Sequence, residues 1–192
     1  MDINVHNKPY LELIIGPMFS GKTTHLILLY KLYTLSNKTV CVINYSEDKR
    51  YHDNKVSSHD KSMIDSTFNV DNLNNIDIEM LLGYDVFLIN EGQFFTNIYD
   101  FTKNLVETHK KIVYITGLDG NYKREAFDNG CLLKLIPLCD NVIKKRSLCK
   151  KCNDGTSAMF THRITNDKTE KLIGINEYIP LCRTCYLSYN NT

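Results

Sequence analysis

The chain has 192 residues, 43% hydrophobic and 23% charged, enough for one packed core with a small appendage. A net charge of +1 leaves no broad basic field for a nucleic-acid duplex. The apolar runs are too short to span a bilayer, and residues 1–9 are polar with no apolar signal-peptide core, so no membrane partner and a cytoplasmic or nuclear setting are expected. In that setting the seven cysteines read as thiols or metal ligands rather than disulfides.

In chain order, residues 10–15 (YLELII) read as a strand, and residues 23–35 carry Leu26, Leu29, Tyr30 and Tyr33 at helical spacing. Residues 38–45 (KTVCVINY) form a second β-branched run, followed by a polar loop over 46–62 and a weaker helix pattern over 72–82. Residues 84–89 (YDVFLI) read as a third strand that ends at Asn90–Glu91–Gly92. A helix over 97–109 places Ile98, Phe101, Leu105 and Val106 on one face; residues 111–116 (KIVYIT) are a fourth strand, and 132–138 a fifth. Strands alternating with helices predict an α/β fold with a parallel sheet and right-handed crossovers. The continuous apolar strands predict helices on both faces of that sheet. After residue 146 the texture changes to CxxC pairs with more Gly, Thr and Asn, so two units are expected: an α/β P-loop domain over 1–146 and a small zinc-ribbon-like β domain over 147–192.

Between the first strand and the first helix, Gly16–Pro17–Met18–Phe19–Ser20–Gly21–Lys22–Thr23 fits G-x-x-x-x-G-K-[ST]. Its glycines let backbone N–H groups turn around a phosphate, Lys22 supplies a point charge, and Thr23 offers a hydroxyl to Mg²⁺. The motif alone does not separate a kinase from an ATPase or GTPase. A carboxylate is expected at the end of a neighbouring strand. There the apolar run closes on Asn90, with Glu91 next, at the crevice where α/β proteins bind ligands. Glu91 is placed to take a proton from a hydroxyl or to polarise water.

Cys149-x₂-Cys152 and Cys182-x₂-Cys185 are separated by 29 residues. Four thiolates in tetrahedral reach make a closed structural Zn²⁺ site, with a spacer long enough for a hairpin and a loop. The competing readings are a redox dithiol and disulfides. Cys41 and Cys139 read as buried small hydrophobes, and Cys131 has no ligand role.

GPMFSGKTT (16–24), EDKRY (47–51), SHD (58–60), NEGQFF (90–95), GLDGNYKREAF (117–127), CKKC (149–152) and CRTC (182–185) together resemble the type II thymidine kinase family, the cytosolic and viral group. The resemblance runs in order over nearly the whole chain. It implies ATP- and Mg²⁺-dependent phosphorylation of the 5′-hydroxyl of thymidine, in salvage of DNA precursors, by a homotetramer, with a dimer as the alternative, inhibited by dTTP. It implies Glu91 as general base. Asp48 falls near Mg²⁺, Lys49 beside it, and Arg50 near the transferring phosphate, while Asn90 and Gln93 fall in the segment lining the metal and phosphate site. Met18, Phe94, Leu118, Tyr122, Phe127 and Tyr178 fall where the family encloses the nucleoside. Thr161 and the stretch Thr169, Glu170, Lys171, Leu172 and Ile173 fall where a lasso-like loop covers the base. Tyr122 stands where Phe is frequent. Asn90 stands where the family usually has Asp, and adds no negative charge to the metal site. The alternative class is a P-loop ATPase or nucleic-acid-binding module whose basic patch would be residues 144–146 (KKR) and 150–151 (KK).

Overall fold

The structure, a computed structural model, describes residues 5–48, 55–57, 62–127, 131–166, 169, 174 and 176–190. Its elements are β1 (Tyr10–Ile15), α1 (Lys22–Leu35), β2 (Val40–Tyr45), β3 (Lys55–Ser57), β4 (Met63–Asp65), β5 (Phe68–Val70), α2 (Ile78–Leu81), β6 (Val86–Ile89), α3 (Ile98–Lys103), β7 (Ile112–Gly117) and β8 (Asn141–Lys144). Then follow β9 (Ser147–Leu148), β10 (Ser157–Ala158), β11 (Phe160–Arg163), β12 (Tyr178–Leu181) and α4 (Arg183–Asn190). Six strands form one sheet in the order β5-β2-β6-β7-β1-β8, and every pairing in it is parallel.

The period-two alternation of each strand sorts its side chains onto two faces. Leu11, Leu13, Ile15, Ile43, Phe87, Ile89, Val113 and Ile115 point to one face, beneath Ile98 and Leu105 of the α3 region and Leu132 and Leu135. Ile14, Val42, Val86, Leu88, Ile112 and Tyr114 point to the other, where α1 lays down Leu26, Ile27, Leu29 and Tyr33. Both faces are covered, as the nearly continuous apolar runs predict.

Four local expectations change. Residues 133–138 form a 3₁₀ helix rather than a strand. Pro137 has no N–H to give a ladder, and Leu132 and Leu135, three apart, bury on one side. The outer strand is instead β8, paired with β1. Part of the 46–62 loop is β3, which pairs antiparallel with β4 because Val56 and Ile64 bury against the α1 face. The 72–82 helix is split into a 3₁₀ turn at Leu73–Asn75 and α2, since the Asn72 and Asp77 side chains each accept the backbone N–H two residues on. Finally, β7 lies between β1 and β6, so the strand that ends at Asn90 is not the immediate neighbour of the P-loop strand.

Beyond β8 the chain folds into two short antiparallel ladders, β9 with β10 and β11 with β12, closed by α4. The β11–β12 pair lies within the spacer between the CxxC pairs, as the spacer length predicts.

Candidate active site

Parallel strands deliver their following loops to one edge of the sheet. At that edge stand the loop after β1, Asp48 just beyond β2, the Asn90–Phe94 segment after β6, the 118–127 loop after β7, and Lys145 after β8.

The 16–23 loop is shaped by backbone that only special residues adopt easily. Gly16 has φ +147°, and a Cβ there would lie 2.5 Å from the Lys145 carbonyl oxygen. Gly21, at φ +72°, starts α1, and Phe19 is held at φ +61°. Lys145 N–H donates to Ile15 O at 2.7 Å and Ser147 Oγ to Phe19 O at 3.0 Å, so the start of the cysteine-bearing segment braces the loop. Lys22 is buried, and its Nζ donates to Pro17 O at 2.7 Å. The ammonium therefore rests inside its own loop. Three residues on, His25 is buried; burial, aided by the Lys145 charge, pulls its ring down to about 4. Lys145 Nζ lies 3.4 Å from His25 Nδ1, and burial lowers the lysine's affinity for its proton.

Glu91 is buried and left-handed, with φ +55°. A non-glycine residue in that region costs about 1–3 kcal/mol and persists only where its surroundings impose it. Gln93 Nε2 donates to Glu91 Oε2 at 2.7 Å, while Gln93 Oε1 accepts the Leu118 N–H at 2.9 Å. Gln93 thus stands behind the carboxylate and ties it to the end of β7. Asn90 is also buried: its Nδ2 donates to Asn44 Oδ1 at 2.9 Å and its Oδ1 accepts from Thr116 Oγ1 at 3.0 Å. Three polar side chains, on β2, just after β6 and on β7, therefore lock the strand ends together. Asp48 is half-buried in the turn after β2, its N–H bonded to Tyr45 O at 3.0 Å.

Aromatic and aliphatic walls stand beside these groups. The Phe94 ring meets Tyr45 at 5.1 Å and Phe127 at 5.8 Å between centroids. Leu118 and Tyr122 are half-buried in the following loop, and Tyr178 is buried on β12. Met18 N–H donates to the buried Thr161 Oγ1 on β11 at 3.0 Å. The phosphate-type loop and the β11–β12 hairpin thus share a hydrogen bond.

Cys149, Cys152, Cys182 and Cys185 place their sulfurs within 4.8 Å of one another. Cys152 Sγ lies 3.8 Å from Cys182 Sγ and 3.5 Å from Cys185 Sγ, close to the roughly 3.8 Å edge of a tetrahedron with Zn–S bonds of about 2.3 Å. Against the effect of burial, backbone N–H groups of Cys152, Cys182 and Lys151 hold the Cys149 thiol down at about 6. An all-thiol donor set of this size fits a closed zinc site.

The family described as Thymidine kinase matches residues 9–186. The chain is 39% identical over 178 residues to a thymidine kinase of Sheeppox virus (strain KS-1), covering 92% of this chain and 96% of that protein. It is 39% identical over 183 residues to that of Yaba monkey tumor virus (strain VR587), covering 95% and 97%. With Thymidine kinase 1 of Dictyostelium discoideum it is 37% identical over 186 residues, covering 94% and 79%. The chain belongs to the thymidine kinase family.

Of the residues that the resemblance to the thymidine kinases singled out, the fold gathers Gly16–Thr23, Asp48, Asn90, Glu91, Gln93, Phe94, Leu118, Tyr122, Phe127, Thr161 and Tyr178 along the same edge and its adjoining hairpin. Thr169 is exposed, its carbonyl accepting from Arg163. Lys49, Arg50, Glu170, Lys171, Leu172 and Ile173 lie outside the described residues. Asn44, Thr116 and Arg163 were missed by motif reading. The first two had a signal: each is the polar residue near the end of an otherwise apolar strand run, VCVIN and IVYIT. In the basic run 144–146, Lys144 pairs with Asp119 at 2.8 Å and Lys145 approaches His25, so two of its three cations are engaged locally. Cys41 is buried and its thiol pushed up to about 12 by burial; Cys139 and Cys131 are half-buried. No helix among the described residues is long and apolar enough to cross a membrane.

Proposed function

We propose that this chain transfers the γ-phosphate of ATP to the 5′-hydroxyl of thymidine, giving thymidine monophosphate for DNA precursor synthesis. The observation that carries the reading is the Met18–Thr161 hydrogen bond in a chain of this family: it sets the phosphate loop directly against a wall of the expected nucleoside pocket. Phosphoryl transfer asks for positioning and charge more than for covalent chemistry. Lys22 exchanges Pro17 O for phosphate oxygens, and the loop's N–H groups surround them. Glu91, pinned by Gln93, accepts the proton of the attacking hydroxyl. Thr23 and Asp48 would hold Mg²⁺, which would supply charge neutralisation at the phosphates. Asn90 serves from behind through Asn44 and Thr116. Phe94, Phe127, Tyr122, Met18, Leu118 and Tyr178 enclose the thymine, with the Thr169–Ile173 stretch as the cover. Arg50 adds its charge at the transferring group.

The four cysteines would hold one structural Zn²⁺, whose chemistry would be cross-linking only. Residues 1–146 form the P-loop domain and 147–192 the zinc-binding lasso domain. The assembly is a homotetramer, dTTP is its feedback inhibitor, and the thiol set suits a cytoplasmic setting. The test is ATP consumption with and without thymidine, with the nucleoside product identified. Stimulation by thymidine with thymidine monophosphate formed supports the kinase; stimulation by DNA or RNA alone overturns it.

A further inference from the structure

Arg163 is the most deeply buried guanidinium among the described residues, at 5% exposure. It sits on β11 two residues beyond Thr161, so both side chains point to the same inward face. One terminal nitrogen donates to the Tyr178 hydroxyl at 2.5 Å, and the other to the Thr169 carbonyl. The guanidinium carbon lies 4.0 Å from the centroid of the Tyr122 ring and 5.1 Å from that of Tyr178. A single planar cation therefore contacts three separate segments: the 118–127 loop, the segment carrying Thr169, and β12. Tyr122 is gripped from a second side. Tyr186 Oη donates to the Tyr122 carbonyl at 2.5 Å. Tyr186 is on α4, directly after Cys185, with its N–H bonded to Cys182 O at 2.9 Å.

We propose that Arg163 is the positioning residue of the nucleoside pocket, and that the Tyr186–Tyr122 bond fixes this pocket wall to the four-cysteine centre. Resting on the thymidine kinase reading, this assigns a route by which the zinc module shapes the substrate site. Two properties suit arginine to the task. Its fork reaches two acceptors that diverge, and its weakly hydrated plane stacks on phenol rings without stranding a compact charge. A lysine keeps the charge and three N–H donors, but its compact ammonium has neither the fork that spans diverging acceptors nor a plane to stack on the rings, so it holds only part of the arrangement.

The separate KM values for thymidine and ATP, kcat, and zinc content of Arg163→Met, Arg163→Lys and Tyr186→Phe test this. Arg163→Met should raise the thymidine KM about ten- to a hundredfold, the range for removing charged hydrogen bonds. The ATP KM should move less than about twofold, and zinc content should be unchanged. Arg163→Lys should fall between it and wild type. Tyr186→Phe, which removes one hydroxyl, should raise the thymidine KM about two- to tenfold. A wild-type thymidine KM in zinc-loaded Arg163→Met, or equal rises in both KM values, overturns the proposal. If Arg163→Met fails to fold, Arg163→Lys and Tyr186→Phe decide on the same split. A wild-type protein that uses another nucleoside defeats the thymidine reading alone, since the split is then measured with that nucleoside.

Discussion

The sheet and the cysteine-bearing hairpins meet at one site, yet they are held together by different physics. Among the described residues, the two faces of the sheet bury clusters of 18 and 12 apolar residues, drawn from strands far apart in sequence. The cluster under the hairpins has five, Cys149, Ala158, Leu181, Cys182 and Tyr186, and two of those are themselves candidate ligands. Burial at about 25 cal/mol per Å² supports the first region amply and the second barely. The difference teaches where each part of the site is rigid. The groups at the sheet edge stand on a packed scaffold, whereas the hairpins have a small core, and the proposed metal on the four cysteines would be their cross-link.

Removing that cross-link is the largest way to test the contrast. Structural zinc in small modules is worth about 10–16 kcal/mol of folding energy near neutral pH. Cys182→Ser, or a strong chelator, should abolish thymidine-dependent turnover and disorder the hairpins. The sheet should keep its far-UV circular dichroism and melt cooperatively. Metal analysis should find about one zinc per chain in the wild type and much less in the variant. Intact turnover in zinc-free protein would show that the hairpins stand without metal.

On the scaffold side, changes at Glu91 and Lys22 should cost chemistry and not structure. Glu91→Gln keeps an oxygen for the Gln93 amide but loses the proton acceptor. Its turnover number should fall by about 10²–10⁴, with thymidine and ATP affinity changed far less. Lys22→Ala should likewise remove most ATP-dependent turnover, and the melting temperature should change little. Wild-type turnover in Glu91→Gln would move the base to Asp48.

The third test uses acid. His25 is held at about 4 in the fold, by burial and by Lys145, against about 6.5 in an unfolded chain. Between pH 6.5 and pH 4 the unfolded chain takes up a proton that the folded chain refuses, so stability falls as pH falls through that window. The loss amounts to about 3 kcal/mol at its limit, at 1.36 kcal/mol per unit. His25→Gln should flatten this slope, seen by urea unfolding at pH 7 and pH 4.5. An unchanged slope would place the acid sensitivity elsewhere.

Legibility in the sequence follows the same division. The parallel sheet could be read because β1, β2, β6 and β7 are continuous apolar runs, and the four cysteines because their spacing has few other meanings. What escaped depends on contacts between segments. The run LLKLIPL looked like a strand by composition, and Pro137 and the one-sided burial of Leu132 and Leu135 turn it into a 3₁₀ helix. Insertion of β7 between β1 and β6 is a matter of strand order, which local periodicity does not carry. The resting place of Lys22 on Pro17, and the grip of Arg163 on Tyr122, have no signature along the chain at all.

Asn90 gives the smallest effect and the finest distinction between the two regions. Its amide donates to Asn44 Oδ1 and accepts from Thr116 Oγ1, with 3% of its surface exposed. In Asn90→Asp the carboxylate keeps the Thr116 bond and loses the donation to Asn44, unless the Asn44 amide turns over. The expected cost at pH 8 is about 1–3 kcal/mol, the range for one buried unsatisfied polar group. Burial raises the pKa of the new acid, and its protonated form regains a donor. Stability should therefore recover as pH falls toward 5, the opposite sense to the His25 effect. Added Mg²⁺ and ATP should also restore it, if the carboxylate faces the metal site, and should steepen the Mg²⁺ dependence of turnover. Zinc content and the thymidine KM should not move, because the hairpins take no part in this lock. Thermal unfolding of the variant at pH 5 and pH 8, with and without Mg²⁺ and ATP, measures all of this. No loss at either pH would mean that the strand-end lock tolerates a charge, and that the amide at position 90 is not what holds the ends of β2, β6 and β7 together.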